Sequence, residues 1–399
     1  MNSETILTPY NSAKLAQQVY GILNFNNINE IEGWLSTRDP NHSINLLKGR
    51  TGGPGIIKSR TAFGFISKGT ERQSPGHCFI TLRGTKKLGD WLSNFNLGTG
   101  TSAYKKSVHD GFKTAFDSIR ADLDPLIQNL PGERIHTVHC IGHSLGGALA
   151  TLCAEYISQR FSYKPYLYTF GAPRVGKQDF SDKYISEVGE ERVFRVYHRT
   201  DIVPCIPTWP FVHMPNVLSN IKYSRHDYFL PSPGVAAWST WHGMDKYVDS
   251  VKNANWATLA SGEHKVDSQH VAKRWLTAKQ PVHVTPENIR FFEVSLNWLI
   301  ANQLYDASSS LMTVANTGFT ALDKVSEMIA KGVQLQNDLG GWMRRLVRRM
   351  MQMLSVEGMY DTVVQPVNII RLFFGRLQSI VHAAAQKAID AVLVGNKAI

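Results

Sequence analysis

Long apolar runs are missing from this 399-residue chain. Nowhere do about 18 apolar residues follow one another, so no transmembrane helix is expected. The amino terminus (Met1-Asn2-Ser3-Glu4-Thr5-Ile6) has no basic patch ahead of an apolar stretch, which excludes a conventional signal peptide. Residence in the cytoplasm, export by a specialised signal-independent route and peripheral membrane association all fit that absence. Cysteine is scarce: Cys78, Cys140, Cys153 and Cys205 lack metal-ligand spacing and sit in apolar or small-residue runs, as buried free thiols do. No Gly-x-Gly-x-x-Gly follows a strand-like run, and there is no Gly-Lys-Ser/Thr phosphate loop and no His-Glu-x-x-His. His136, His139 and His143 are closely spaced, but the first two fall on opposite faces of a strand-like run. No metal and no cofactor is expected. Basic residues number 43 against 32 acidic, a net charge of +11. The excess is spread out, without the dense stripe or aromatic platforms of a nucleic-acid binder, so no nucleic-acid partner is expected.

What is present is an alternation of periods. Strand-like runs at 62–68, 77–83, 135–141, 166–170 and 193–198 alternate with helical patterns at 12–22, 108–126 and 145–160. In the first of these helices Ala13, Ala16, Val19 and Tyr20 share a face. Such alternation implies an α/β fold, a mostly parallel sheet with helices on its faces, whose ligand-facing groups gather beyond the strands' carboxyl ends. Residues 204–243 read as long loops, and 241–249 as the start of a further helix.

The sharpest local signal is Gly142-His143-Ser144-Leu145-Gly146, with an apolar strand before it and a small-residue helix after it. That setting suits a nucleophile elbow. Gly142 and Gly146 remove side chains that would collide, Ser144 is lifted above the sheet, and the N–H of Leu145 points to where an oxyanion would form. A serine nucleophile needs a base, and the base an orienting carboxylate. Asp201 directly follows the strand at 193–198 and so shares the sheet edge with Ser144. The base must come later in the chain, where His213, His226, His242, His264, His270, His283 and His382 all qualify. His242, where a short loop meets a helix, ranks first, with His226 in reserve.

Further motifs fall in a fixed order: Arg83-Gly84-Thr85, Asp90-Trp91-Leu92-Ser93-Asn94, His109-Asp110-Gly111-Phe112, the elbow, Thr169-Phe170-Gly171-Ala172-Pro173-Arg174-Val175-Gly176, and then the Asp201 segment. Together they resemble the class 3 lipases, the family typified by secreted fungal triacylglycerol lipases, over roughly residues 10 to 275. The resemblance implies an α/β-hydrolase fold and a Ser144–His242–Asp201 triad, with Tyr247 following the histidine. It implies Thr85 and Leu145 as oxyanion donors and Trp91 on a lid, while Arg83 and Asp90 brace loops. It further implies hydrolysis of lipid esters, as a triacylglycerol lipase or a phospholipase A1, through an acyl-enzyme. A small-ester esterase and a lipid-surface protein with little turnover are the alternatives. Some bacterial members are exported toxins, which makes a neutralising or chaperone protein partner compatible with the chain.

The match leaves residues 1–280 as the catalytic domain and 281–399 as a helical carboxyl-terminal region, expected to be membrane-interfacial, regulatory or partner-binding. Thr285 and Pro286 mark a helix start, and further helical stretches follow at 308–336, 341–356 and 366–394. In 341–356 the residues Arg344, Arg345, Arg348 and Arg349 form one face, and Met343, Leu346, Val347, Met350, Met351 and Leu354 the other. Such a helix suits a membrane interface or the wall of a helical bundle.

Overall fold

β-branched and aromatic runs pair into one seven-stranded sheet in the computed structural model, which describes residues 6–38, 44–51, 59–70, 73–84, 99–214, 227–232, 240–260, 268–303, 321–334, 338–355 and 366–395. The strands are β1 (Ile44–Thr51), β2 (Ser59–Thr70), β3 (Gln73–Leu82), β6 (Thr137–His143), β7 (Tyr166–Phe170), β8 (Val193–His198) and β9 (Asp227–Leu230), in that spatial order. A separate hairpin joins β4 (Thr99–Thr101) to β5 (Ser107–His109). β1, β2 and β3 are antiparallel, whereas β3, β6, β7, β8 and β9 run parallel. Parallel strands bring every carboxyl end to one edge, and the register sets Leu82 beside Gly142 and His143 beside Phe170. This is an α/β-hydrolase architecture. β1 and β9 were not expected: the first lies in an interval that reads as polar and Gly-rich, the second in one that reads as loop.

The helices are α1 (Pro9–Gln18), α2 (Ile28–Arg38), α3 (Asp110–Asn129), α4 (Leu145–Arg160), α5 (Gln178–Val188), α6 (Met244–Val251), α7 (Trp256–Ala260), α8 (Ser268–Thr277), α9 (Pro286–Gln303), α10 (Ala321–Val333), α11 (Asp338–Met353) and α12 (Pro366–Gly395). Because side chains alternate along a strand, Cys140 and Leu167 face α3, α4 and α5, while Ile141, Tyr168 and Phe170 face α1 and α6. β6 is buried along its whole length, as a central parallel strand must be. All four cysteines are buried free thiols.

The carboxyl-terminal helices share the larger core with α3 and α4, through Phe292, Leu296, Phe373, Leu377 and Val381. Thr285 caps α9 as expected, accepting the Asn288 N–H at 3.1 Å. Of the stretch 308–336, residues 308–320 and 335–336 lie outside the described residues, and α10 begins at Ala321. α11 selects between two expectations and corrects a third. Met343, Leu346, Val347, Met350 and Met351 are all buried against neighbouring helices, so its apolar face belongs to a bundle and not to a membrane. Arg349 leaves the arginine face and is 2% exposed. Its Nε and Nη2 donate to the Trp275 carbonyl at 2.8 and 2.7 Å, and its Nη1 to the Gln280 carbonyl at 2.8 Å. It thereby satisfies the Trp275 carbonyl in the last turn of α8, which has no helical partner, and the Gln280 carbonyl just beyond the helix.

A second buried charge sits on α4. Glu155 accepts the Tyr104 N–H at 2.6 Å and so pins the β4–β5 turn. Burial pushes its carboxyl up from 4.5 to about 7, against the opposing pull of Ser102, the turn amides and Lys113. The folded value lies above the unfolded one, so the charged form is the burden. Its cost is absent below about pH 4.5, grows as pH rises and is complete above about 7, reaching about 3 kcal/mol.

Arg349→Met should lower unfolding free energy by about 2–3 kcal/mol in a denaturant melt, because Trp275 and Gln280 lose charged donors. Arg348→Met, on the exposed side of the same helix, should stay within about 0.5 kcal/mol. Glu155→Gln should raise Tm at about pH 8 and flatten the stability profile between about pH 5 and 8. An unchanged profile would show that Glu155 is not the group that titrates.

Candidate active site

β6 passes into α4 with a single residue between them, and that residue is Ser144 at φ 57°, ψ −132°. The turn is this tight because two backbones nearly touch. A Cβ on Gly142 would lie 2.1 Å from the Gly146 carbonyl oxygen, and one on Gly146 would lie 2.1 Å from that of Leu82. Neither position accepts any other residue. The Ser144 N–H donates to the Phe170 carbonyl at 3.0 Å and the Gly147 N–H to the Ser144 carbonyl at 2.9 Å, locking the turn from both sides. Leu145 opens α4, so its N–H has no acceptor within its own helix and stays available to an anion at the serine.

The other two groups arrive from separate strand ends. Asp201 follows β8 and is fully buried. His242 precedes α6 and is buried as well. His242 Nε2 lies 3.0 Å from Ser144 Oγ, and its Nδ1 lies 2.9 Å from Asp201 Oδ2. The carboxylate is oriented at three points. Oδ2 also accepts the Tyr247 hydroxyl at 2.6 Å, and Oδ1 accepts the Val203 N–H at 2.9 Å. With Nδ1–H bound to the carboxylate, the lone pair of Nε2 faces the serine hydroxyl. That is the tautomer a general base requires.

Two further histidines hold the base without competing with it. His143 Nε2 lies 2.7 Å from the His242 carbonyl, and His198 Nδ1 lies 2.8 Å from the Trp241 carbonyl. Carbonyls only accept, so each of those nitrogens carries the proton. The remaining nitrogens must then accept, from the Tyr20 hydroxyl at 2.6 Å and the Ser250 hydroxyl at 2.9 Å. Burial, reinforced by the neighbouring His242, holds His143 well below its ordinary range, and burial lowers His198 to about 4. Both stay neutral where the site would work. Tyr20 in turn accepts the Gly84 N–H at 3.1 Å, tying the segment before Thr85 to the elbow.

Several expected residues are thus brought together: Ser144, Asp201, His242, Leu145, Gly142 and Gly146. Thr85, Asp90, Trp91 and His226 lie outside the described residues. Arg83 braces its loop, donating to the Ala62 and Gly84 carbonyls at 2.7 and 2.8 Å. His213 is turned away to the Pro204 carbonyl at 2.6 Å. Tyr20, His143, His198 and Val203 had not been singled out for the site. Tyr20 reads as a core-face residue of the first helix, and only its hydroxyl hinted at a partner. No group of His, Cys, Asp and Glu suited to a metal occurs among the described residues.

The loop that carries Asp201 is closed from outside by α9. Arg174 pairs with Glu293 through two bonds of 2.6 Å, and its Nη1 also donates to the Pro207 carbonyl at 3.1 Å. Arg199 pairs with Glu287, and Arg290 donates to the Arg199 carbonyl.

Residues 79–211 match the family model described as Lipase (class 3). The chain is 33% identical over 156 residues to the secreted mono- and diacylglycerol lipase 1 of Fusarium solani, covering 38% of this chain and 45% of that protein. It is 29% identical over 204 residues to phospholipase A1-II 4 of rice, covering 44% of this chain and 50% of that one. Over 104 residues it is 38% identical to the toxin TseL of Vibrio cholerae, covering 25% of this chain and 15% of the toxin. The chain therefore spans about half or less of the length of these relatives. Among solved structures, Rhizomucor miehei triacylglyceride lipase aligns with a TM-score of 0.39 at 19% identity, over 56% of this chain and 77% of that one.

A hydroxyl activated in this way should react with a fluorophosphonate probe, forming an Oγ–P bond with loss of fluoride. Labelling should map to Ser144 and vanish in Ser144→Ala. Tyr247→Phe, which removes one of the bonds that orient Asp201, should slow labelling about tenfold. A label that persists in Ser144→Ala would assign the reactive serine elsewhere.

Proposed function

We propose, from the match of residues 79–211 to the class 3 lipase family model, that the chain is a member of that family and a serine carboxylic-ester hydrolase acting on lipid esters. The observation that carries this reading is the buried hydrogen-bonded chain from Ser144 through His242 to Asp201. His242 Nε2 takes the hydroxyl proton as Ser144 Oγ attacks the ester carbonyl. The N–H groups of Leu145 and Thr85 hold the oxyanion. The same proton then passes from Nε2 to the departing alcohol or lysolipid. Water enters, gives a proton to His242 and attacks the acyl-enzyme, and Ser144 regains its proton as the fatty acid leaves. Asp201 holds the ring through Nδ1–H and stabilises the imidazolium.

Residues 1–280 form the catalytic region in this reading. Residues 281–399 serve it as a brace, since Glu287 pairs with Arg199 just before Asp201 and Glu293 pairs with Arg174, which in turn holds the Pro207 carbonyl beyond Asp201. The named relatives include both a mono- and diacylglycerol lipase and a phospholipase A1, so the substrate is a lipid ester whose head group is to be measured. Among the described residues no helix is long and apolar enough to cross a membrane. In this reading Trp91 belongs to a lid over the site. A second reading, a toxin-type lipase with a neutralising protein partner, is favoured by the likeness to TseL.

The purified chain should release fatty acid from mixed phospholipid and triacylglycerol emulsions, and product analysis should show which is cleaved and at which position. Ser144→Ala should lower turnover by about 10⁴-fold or more. Residual hydrolysis close to the parent's would overturn the assignment. Expression of the same pair in a bacterial periplasm tests the second reading: growth arrest by the parent alone supports it, and equal growth removes it.

A further inference from the structure

α8 and α11 pack side by side, and between them they carry six basic residues against one acidic, Asp338. Two of the six are spent internally, Arg349 on α8 and Arg344 on the Val333 carbonyl at 2.8 Å. Of the other four, Lys273 and Arg345 meet at an aromatic pair, and Arg274 is exposed. Trp342 stands edge-on to Trp298 of α9, with ring centroids 5.5 Å apart. Arg345 lies over the Trp342 ring at 4.6 Å, and Lys273 lies between both indoles at 5.7 and 6.0 Å. Arg348 is exposed one turn further along α11. Lys279 is exposed next to the Gln280 carbonyl that Arg349 holds. None of Lys273, Lys279, Arg345 and Arg348 has an ionic partner among the described residues.

From this surface we infer that the α8–α11 face docks the enzyme on an anionic phospholipid bilayer. The inference rests on the lipid-ester reading above and says how the enzyme reaches its substrate's surface. Charge complementarity carries it: clustered Lys and Arg are drawn to anionic headgroups, and a half-exposed indole flanked by cations is at home at headgroup level. The mode differs from insertion of an amphipathic helix, because the apolar side of α11 is already buried and only the cationic side is left to a partner. The location fits catalysis at a surface. α9 carries Glu287 at the Asp201 loop and Trp298 at the patch, eleven residues apart, which at helical rise is about 16 Å. The helix that braces the acid loop therefore also stands on the docking face.

The test uses the full chain. Binding is measured with Ser144→Ala, so that vesicles stay intact, by co-sedimentation with phosphatidylcholine vesicles with and without a minority of phosphatidylglycerol. The parent should bind the anionic vesicles, and rising salt should release it. Adding Arg345→Glu and Arg348→Glu should weaken that binding about tenfold or more and leave any binding to pure phosphatidylcholine unchanged. In the Ser144 background, the same two changes should leave hydrolysis of a soluble nitrophenyl ester at the parental rate. Equal binding of parent and variant to anionic vesicles, or parental binding that ignores salt, overturns the docking surface. Absence of soluble-ester hydrolysis by the parent would instead overturn the hydrolase reading. If the double variant melts early, the salt series on the parent alone decides.

Discussion

Ser144 is held in a backbone conformation that an L-residue adopts only at a cost of about 1–3 kcal/mol, and the surrounding fold is what imposes it. The strand ends before the serine and the helix begins after it, so the chain reverses within one residue. Three features make this tolerable: parallel pairing of β6 with both β3 and β7, the Phe170 carbonyl that receives the serine amide, and two glycines where backbones almost touch. Relaxing the turn would break the middle of the sheet, which is the most deeply buried part of the molecule. Strain at the nucleophile is thus underwritten by the core. The hydroxyl is aimed before any substrate arrives.

Once the serine is fixed, the proposed reaction needs one of three nearby histidines to face it and the other two to be occupied elsewhere. Burial alone would not separate them, because His143, His198 and His242 are all buried. Their partners do. His143 and His198 each donate to a main-chain carbonyl and accept from a hydroxyl, so both nitrogens are occupied and protonation would break a bond without making another. His242 faces a carboxylate on one side and the serine on the other. Of the three, it is the one hydrogen-bonded to a carboxylate, which stabilises a charge on the ring. The inert pair grips the carbonyls of Trp241 and His242, which removes freedom from the base. A polar network within a low-dielectric site can do this only when each member is satisfied.

How much of this was legible follows from the range over which each feature is determined. The elbow is local: a strand, two glycines and a small-residue helix within about twenty residues. β7 and β8 were recognised to the residue, because buried parallel strands are short, uninterrupted and apolar. β1 was not, since Ile44–Thr51 carries Lys48, Gly49 and Arg50 and lies at the sheet edge with β2 as its strand neighbour. The choice among histidines depended on chain placement around 98 residues from the serine, which periodicity does not encode. The amphipathic face of α11 was visible, but a bilayer and a protein core are equally apolar partners. Only Phe292, Leu296 and their neighbours decide between them. Arg349 shows the same limit at one residue, since its acceptor on Trp275 is 74 positions away.

Arg174 makes the relation between the two parts of the chain concrete. It lies in the Gly-Ala-Pro-Arg segment after β7, inside the family match, yet its guanidinium is buried and its countercharge is Glu293, outside the match. A buried guanidinium without a carboxylate is destabilised by about 3–5 kcal/mol. The Arg174 amide and side chain also hold the Ile206 and Pro207 carbonyls, five and six residues beyond Asp201. Loss of Glu293 would therefore be felt first in the loop that orients the base, and only then in the helices that supplied it. The carboxyl-terminal helices are tied by charge to the segments around Asp201, so the placement of that carboxylate depends on residues outside the family match.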